Sequence, residues 1–255
     1  MSVVALCSAG GAPGVTTAAL ALGWVWPTAE PGRRVLVVDA DPAGSGVVPG
    51  WAQAGVASDG GVLALAASRL PVTADTLLEH CLTQDADARR LVLTGVGSSA
   101  QARTLAPIWR AIADAATDLD TAGVDVVVDA GRLGHRYEPT VLLERADVVA
   151  LVLSPTLSSV ATGMHALHAL REVRGPAATT TALVVAGGGP YGAGEIGREL
   201  GLDSVPVLAH DPWAARALAD AATSGWRFDR SPLLRSATTL ARHLRALIAP
   251  VKTRV

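Results

Sequence analysis

The sequence predicts an α/β protein with a doubly wound, mainly parallel sheet and helices on both faces. Short, continuous runs of β-branched and other apolar residues, closed by glycine or aspartate, recur along the chain and are typical of strands covered on both faces. Alanine- and leucine-rich stretches with helical spacing lie between them. Because the two kinds of segment alternate and crossovers between parallel strands are right-handed, they are expected to form one layered sheet.

The elements can be assigned in chain order. Strands are predicted at residues 3–7, 35–38, 124–128, 148–153 and 182–185, with weaker candidates at 91–93 and 205–208. Helices are predicted at 16–26, 100–119, 158–173, 212–222 and 233–248, and surface loops at 44–61 and 83–90. With 255 residues and 50% hydrophobic content, one domain spanning residues 1–255 is expected.

Composition excludes several function classes. The formal net charge is −2, from 21 basic and 23 acidic residues, so no overall field favours a nucleic acid or an anionic membrane. Cys7 and Cys81 have no metal-type spacing, which predicts a reducing compartment, and Cys7 on the first strand is expected to be a core residue. No apolar run approaches the roughly 18 residues that span a bilayer, and no secretory leader is recognisable. A cytoplasmic protein is expected.

A glycine-rich turn connects the first predicted strand to the first predicted helix. Backbone N–H groups in such a turn, together with the helix N-terminus, can cradle a phosphate group. The alternative is a tight turn that needs glycine only so that the helix can pack on its strand. The candidate phosphate-binding residues are Gly10, Gly11, Ala12, Pro13, Gly14, Val15, Thr16 and Thr17.

Acidic residues end two other predicted strands. Asp39 and Asp41 follow the second strand, and Asp129 follows the strand at 124–128. The carboxyl ends of parallel strands meet at one edge of a sheet, where P-loop proteins hold Mg²⁺. The alternative is a set of solvated strand-end carboxylates, with Asp41-Pro42 turning the chain.

These segments together resemble the ParA/MinD/TadZ family of deviant Walker-A ATPases, and in particular the MinD-like proteins of high-GC bacteria. The resemblance covers nearly the whole chain, including the strand and proline at 146–155 and the late strand at 205–208. It implies that Thr16 and Asp39 bind Mg²⁺, that Asp129 supports the metal's water shell and that Asp41 is the catalytic residue positioning the attacking water. It also implies a homodimer whose interface lies over the phosphate loops.

The chain departs from the family pattern at both lysines of the loop, where it has Gly10 and Val15. A lost charge-assisted contact to phosphate costs roughly 1.5–3 kcal/mol. The loop is therefore predicted to be degenerate, with weak or absent binding of ATP and Mg²⁺. Arg132 and His135, after Asp129, could supply a replacement cation, or could be a solvent-facing pair on a loop.

A second departure follows the strand at 182–185. Relatives often carry there an asparagine that reads adenine, whereas this chain has Ala186-Gly187-Gly188-Gly189-Pro190. Base selectivity stays open.

The C-terminal segment, residues 240–255, carries an apolar stripe beside several basic residues. Leu240, Leu244, Leu247 and Ile248 could lie on a membrane surface, as in MinD, but docking on the protein's own core is the preferred interpretation. Pro250 is expected to end the helix. The six tryptophans are scattered, which favours packing or interface roles over a base-stacking platform.

The function predicted from these features is a degenerate ParA/MinD-like positioning or scaffold switch for a macromolecular cargo, with weak or no ATP hydrolysis. It would act as a homodimer with a protein partner or cargo adaptor, and neither nucleic acid nor membrane is indicated as a partner. The alternative is an active Mg-dependent ATPase that uses a non-lysine cation at the phosphates. A ligase or protein-tyrosine kinase on a related P-loop fold is disfavoured, because no tyrosine-rich tail, cluster-type cysteine pair or second substrate motif occurs.

Overall fold

The sheet is mainly parallel, as the sequence predicts. The computed structural model describes residues 2–10, 14–47, 50, 60–175, 178–185, 189–222 and 225–252. Within them the strand order is β3-β4-β2-β5-β1-β6-β7-β8, and every pairing is parallel except the antiparallel β3–β4 pair. The strands are β1 (Val3–Ser8), β2 (Arg34–Asp39), β3 (Leu82–Thr83), β4 (Arg90–Leu93), β5 (Val124–Arg132), β6 (Val148–Leu153), β7 (Thr179–Val185) and β8 (Val207–Leu208).

Helices cover both faces of the sheet. In the described residues they are α1 (Val15–Ala29), α2 (Gly61–Ser68), α3 (Ala74–Glu79), α4 (Ser99–Ala102), α5 (Ala106–Asp114), α6 (Ala116–Thr121), α7 (Thr140–Arg145), α8 (Leu157–Arg174), α9 (Ala193–Leu200), α10 (Pro212–Ala219), α11 (Trp226–Asp229) and α12 (Pro232–Lys252). One apolar core lies between the sheet and α2 to α9 and includes Cys7, as predicted. The second lies between the opposite face and α1, α10, α11 and α12.

The predicted helix at 100–119 is wrong as a single element. The structure ends α4 at Ala102, begins α5 at Ala106 and begins α6 after Ala115. Pro107 stands in the first turn of α5. Inside a continuous helix a proline has no N–H to donate and its ring clashes with the carbonyl four residues earlier, whereas the first turn of a helix needs no such donor. The chain therefore turns before α5 instead of continuing α4.

The predicted loop at 83–90 is also partly wrong, because Thr83 and Arg90 belong to strands that pair with each other. Asp85 fixes this turn: its carboxylate accepts the backbone N–H groups of Arg89 and Arg90 at 2.9 and 3.0 Å and pairs with the Arg90 guanidinium at 2.9 Å. Of the predicted loop at 44–61, residues 48–49 and 51–59 lie outside the described residues, and Gly61 begins α2.

Helix α1 packs unusually closely on the sheet. Its buried face is built largely from small residues, and a Cβ added at Gly23 would lie 2.3 Å from Cγ2 of Val37 on β2. A glycine at this position therefore sets the distance between helix and sheet. Larger side chains would separate the two and loosen the second core.

A buried aspartate fixes the C-terminal part of α1. Asp125 on β5 accepts the Ser2 backbone N–H at 2.7 Å, the Trp26 indole N–H at 3.0 Å and the Arg33 guanidinium at 3.0 Å. Trp26 and Asp125 are both buried. If the carboxylate were removed, the Ser2 and Trp26 N–H groups would lose this acceptor, while Arg33 would keep Asp120 and the Val124 carbonyl.

The C-terminal helix docks on the core, as the sequence analysis prefers. Leu240, Leu244 and Ile248 are buried in the second core, and Leu247 packs at its edge. Arg245 pairs with Glu30, just after α1, at 2.5 Å. The helix continues to Lys252, so the predicted stop at Pro250 is wrong; a proline in the last turn interrupts little of the hydrogen-bond ladder. No helix in the described ranges is long and apolar enough to cross a membrane.

Changing Asp125 to Ala should lower the free energy of unfolding by about 3 kcal/mol, because it leaves a buried indole N–H and a backbone N–H unpaired and removes one of the acceptors of the Arg33 guanidinium. Chemical denaturation followed by circular dichroism measures the change. The matched control is Asp114→Ala, which breaks the exposed Asp114–Arg145 pair and should cost less than about 1 kcal/mol. Equal losses in the two variants would contradict the structural role of Asp125.

Candidate functional site

The three predicted strand ends meet at one edge of the sheet. In the parallel register Leu6 on β1 lies opposite Asp129 on β5, and Asp129 lies opposite Asp39 on β2. Adjacent strands are about 4.8 Å apart, so Asp39 and Asp129 are direct neighbours across the sheet. Asp39 and Asp129 alternate with core residues that face α2 to α9, so both side chains point to the α1 side.

The glycine-rich turn leads directly into α1 at this edge. Gly14 has φ +94°, a left-handed conformation that favours glycine, and its carbonyl accepts the Ala18 N–H at 2.9 Å to begin the helix. The first N–H groups of an α-helix have no partner inside the helix, and the helix dipole adds a partial positive charge there. Of the predicted loop residues, Gly11, Ala12 and Pro13 lie outside the described residues.

The two positions where relatives carry lysine differ in their surroundings. The side chain of Val15 is buried in the second core. A Cβ added at Gly10 would meet no atom of the described residues within 4 Å, and its φ lies outside the left-handed range. Position 10 therefore has room for a side chain, whereas position 15 serves packing.

Asp39 is held by two donors that the sequence analysis did not identify. Its Oδ2 accepts the Ser45 hydroxyl at 2.5 Å and the Gly95 backbone N–H at 3.1 Å. A Cβ at Gly95 would lie 2.5 Å from the Asp39 carbonyl oxygen and 2.8 Å from Oδ2, so this approach requires glycine. Ser45 stands six residues after Asp39, but no local pattern points to Gly95.

Asp129 is equally enclosed. Its Oδ1 accepts the Gly131 backbone N–H at 3.0 Å. Among the described residues, neither Asp39 Oδ1 nor Asp129 Oδ2 has a hydrogen-bond partner of normal geometry, although both atoms are buried. Buried carboxylate oxygens without partners are costly, and a bound cation would satisfy them.

Burial changes the acidity of this pair. It raises the pKa of Asp39 to about 6, against the opposing effect of the hydrogen bonds from Ser45 and Gly95. It raises the pKa of Asp129 to about 7, with repulsion from Asp39 adding to the rise and the Thr16 hydroxyl and Gly131 N–H opposing it. Burial and mutual repulsion therefore shift both carboxyl groups towards the protonated form, compared with solvent-exposed aspartates.

Asp41 lies beside the pair, outside the sheet. Its Oδ1 accepts the Ala43 N–H at 2.8 Å, which closes a turn. Gly131 has φ +65°, and a Cβ there would lie 2.4 Å from Asp41 Oδ1, so Asp41 rests directly against the end of β5. The predicted residues Asp39, Asp41, Asp129 and Thr16 are thus brought together.

The two predicted replacement cations, Arg132 and His135, lie at the end of β5 and just after it. Arg132 is exposed, forms no ion pair among the described residues, and pairs in register with Ser8, two residues before Gly10. His135 Nδ1 accepts the Tyr137 backbone N–H at 3.1 Å, and the centroids of the two rings are 5.8 Å apart. His135 is therefore engaged in its own turn, while Arg132 is available beside the glycine-rich loop.

A cavity of about 190 Å³ adjoins the loop at Gly14 and Thr17. It is closed by Val185 at the end of β7 and by residues 210–212, where Asp211 caps α10 by accepting the Ala214 N–H at 3.1 Å. The sequence analysis missed this wall, although Asp before Pro at a helix start is a recognisable signal. Residues 186–188, from the segment that replaces the family's asparagine, lie outside the described residues.

Comparison with known proteins identifies the fold. No family model and no curated protein matches the sequence. The fold matches the ParA-family ATPase of Chlorobium tepidum TLS, with a TM-score of 0.72 and 16% identity over 95% of this chain and 98% of that one. It also matches the MinC:MinD cell division complex of Aquifex aeolicus, with a TM-score of 0.69 and 16% identity over 96% of each chain. A third match is the septum site-determining protein MinD with Mg-ADP from Pyrococcus horikoshii OT3, with a TM-score of 0.65 and 15% identity over 98% of each chain.

Changing Asp129 to Asn should stabilise the protein at pH 8 in a chelating buffer by at least about 1 kcal/mol, because it removes a buried charge. Between about pH 4 and pH 7 the folded wild-type protein keeps protons that the unfolded chain releases. Its free energy of unfolding therefore falls as pH rises, and that of the variant falls less. The difference between the two proteins should therefore grow with pH.

Denaturant titrations across this pH range measure the difference. The control is Asp87→Asn, at an exposed position, which should give a difference that stays near zero at every pH. A stability advantage of the Asp129 variant that shrinks as pH rises would contradict the buried-charge account.

Proposed function

Because the chain has the fold of MinD and ParA ATPases, we propose that it is a positioning or scaffold switch for a macromolecular cargo, with weak or no ATP hydrolysis. The observation that carries the proposal is the imbalance of the site. Three carboxylates, Asp39, Asp41 and Asp129, cluster at the sheet edge beside Thr16 in the first turn of α1, while the positions of both family lysines hold Gly10 and a buried Val15. A triphosphate would meet negative charge without the usual compensation.

The metal half of the site fits Mg²⁺. Carboxylate and hydroxyl oxygens are the donors that Mg²⁺ prefers, and unpartnered buried oxygens on Asp39 and Asp129 are suited to its inner shell or its waters. Thr16, in the first turn of α1, would complete the set. When bound, Mg²⁺ would neutralise charge on the phosphates and on the carboxylates.

The rest of a nucleotide site would be built from α1 and the neighbouring cavity. N–H groups of Gly14 to Thr17 would bind phosphate oxygens at the positive end of the helix dipole, with Gly10 to Pro13 forming the loop before them. The cavity beside Thr17 would take a flat ring, with no asparagine to select it. Asp41, held against Gly131, would orient a water molecule if hydrolysis occurs.

A homodimer and a protein partner form part of the proposal. We propose that the dimer interface lies over the phosphate loops, as the resemblance to ParA/MinD proteins implies. One structure with this fold is a complex of MinD with MinC. A dimer could also bring a cation from the second copy to each loop. The cargo itself is not specified by the fold, since one architecture serves many tasks.

The second candidate is an active Mg-dependent ATPase that uses Arg132 at the phosphates. It is favoured by one observation: Arg132 is exposed, has no ion pair among the described residues and pairs in register with Ser8 next to the loop. A guanidinium binds phosphate oxygens in pairs and can replace an ammonium group.

Calorimetric titration with Mg-ATP and Mg-ADP, together with light scattering, distinguishes the two candidates. The first proposal predicts a Kd of about 0.1 mM or weaker without phosphate release, and light scattering shows whether the dimer depends on nucleotide. Micromolar binding with phosphate release, lost in Asp41→Ala and in Arg132→Ala, would contradict it and support the active ATPase.

Replacing Gly10 with Lys should strengthen Mg-ATP binding at least about tenfold, because the added ammonium group has space at this position and supplies a charge-assisted phosphate contact. The matched control is Gly10→Gln, which adds a side chain of similar reach without charge and should leave the affinity near that of the wild type. Calorimetry measures both. Equal affinities of the Lys and Gln variants would contradict phosphate binding at this loop.

A further inference from the structure

An open groove of about 470 Å³ lies between α10, α11 and the start of α12, on the α1 side of the sheet. Two large aromatic side chains line it in an exposed state: Trp213 is 50% exposed and Trp226 is 74% exposed. Tryptophan and arginine are the residues most enriched at the energetic centres of protein interfaces. None of the other tryptophans in the described residues is comparably exposed, so these two indoles require a separate explanation.

Each exposed indole carries a guanidinium over its ring. Arg227 Cζ lies 5.2 Å from the centroid of the Trp213 ring, and Arg230 Cζ lies 5.9 Å from that of Trp226. A guanidinium over an aromatic face is attracted by the ring, and its planar fork of N–H groups can still donate to another partner. Neither arginine forms an ion pair or a side-chain hydrogen bond in the described part of the chain, so the groove presents two unpaired forks of donors.

The groove is built on a fixed base. Phe228, between the two arginines in sequence, is buried. Its ring centroid lies 5.1 Å from that of Trp24 and 6.3 Å from that of Trp213. The Trp24 indole N–H donates to Asp229 at 3.2 Å, which ties α11 to α1. Because these contacts hold α11 in place before any ligand arrives, little ordering would be needed on binding.

The charge pattern selects the class of ligand. The forks of Arg227 and Arg230 match carboxylates, while the carboxylates of Asp211 and Asp229 at the margins are already engaged as hydrogen-bond acceptors. A nucleic acid is less suited, because the net charge of −2 provides no long basic track for a phosphate backbone.

We propose that this groove binds a short acidic peptide segment of a partner protein, with its carboxylates paired to Arg227 and Arg230 and an apolar side chain packed on the free indole surface. The groove shares residues 210–212 with the cavity beside Thr17, but its tryptophans and arginines lie outside that cavity. The proposed peptide contacts do not use the phosphate loop, so a failure of nucleotide binding leaves this inference standing.

The test uses the full chain and fluorescence polarisation of dye-labelled probes. The probes are a panel of short Glu- and Asp-rich peptides, each with one aromatic or leucine residue, the same panel with Lys in place of the acids, and oligothymidylate of matched length. At least one acidic peptide should bind with a Kd below about 1 mM, and the lysine peptides should not.

Variants locate the binding. The double change Arg227→Glu and Arg230→Glu should weaken the acidic peptide at least about tenfold, because it removes both charge-assisted pairs. The matched control, Arg103→Glu with Arg110→Glu, makes the same charge change on exposed residues of the opposite helical layer and should leave the affinity unchanged. Trp226→Ala, an independent variant, should also weaken binding several-fold.

Three results would overturn the proposal: no binding by any acidic peptide, equal weakening by the groove and control variants, or tighter binding of oligothymidylate that is lost with the same two arginines. The last result would assign the groove to single-stranded nucleic acid. Circular dichroism of each variant verifies that the fold is retained.

Discussion

The position of helix α1 between two buried aspartates of one strand is the constraint on which the site depends. Asp125 accepts the indole N–H of Trp26 near the C-terminus of α1, and Asp129 lies beside Thr16 in its first turn. Residues four apart on a strand point to the same face, so β5 contacts the helix at both ends. The absence of a side chain at Gly23 allows the close approach between them.

The same arrangement places charge where it is difficult to stabilise. Burial that fixes α1 also removes water from Asp39 and Asp129, and this desolvation raises the pKa of both carboxyl groups, with their mutual repulsion adding to the rise at Asp129. In a site with lysines, positive charge would offset this cost; here the neighbouring side chain at position 15 is apolar and buried. The edge of the sheet is therefore better suited to receive a cation than an anion, which is the physical basis for proposing a switch with weak nucleotide handling.

The two helical layers serve different purposes. The layer formed by α2 to α9 closes one core, and the loop between β4 and α4 provides the Gly95 backbone N–H that donates to the Asp39 carboxylate. The layer with α1, α10, α11 and α12 carries both the loop that would hold phosphate and the exposed tryptophans of the groove. Residues 210–212 line the cavity beside Thr17 on one side and the groove on the other, so these two surfaces are joined by a single short segment.

The sequence by itself determined the strands and the acidic edge, because continuous β-branched runs must be buried and parallel strands bring their carboxyl ends together. It therefore placed Asp39, Asp41 and Asp129 beside Thr16 and located the missing lysines. Only the tertiary structure decided that Gly95, 56 residues from Asp39, donates to its carboxylate, that residues 210–212 close a cavity, and that Trp213 and Trp226 share a groove. Such contacts join distant segments, and their geometry depends on strand register and helix packing, which local residue patterns do not encode.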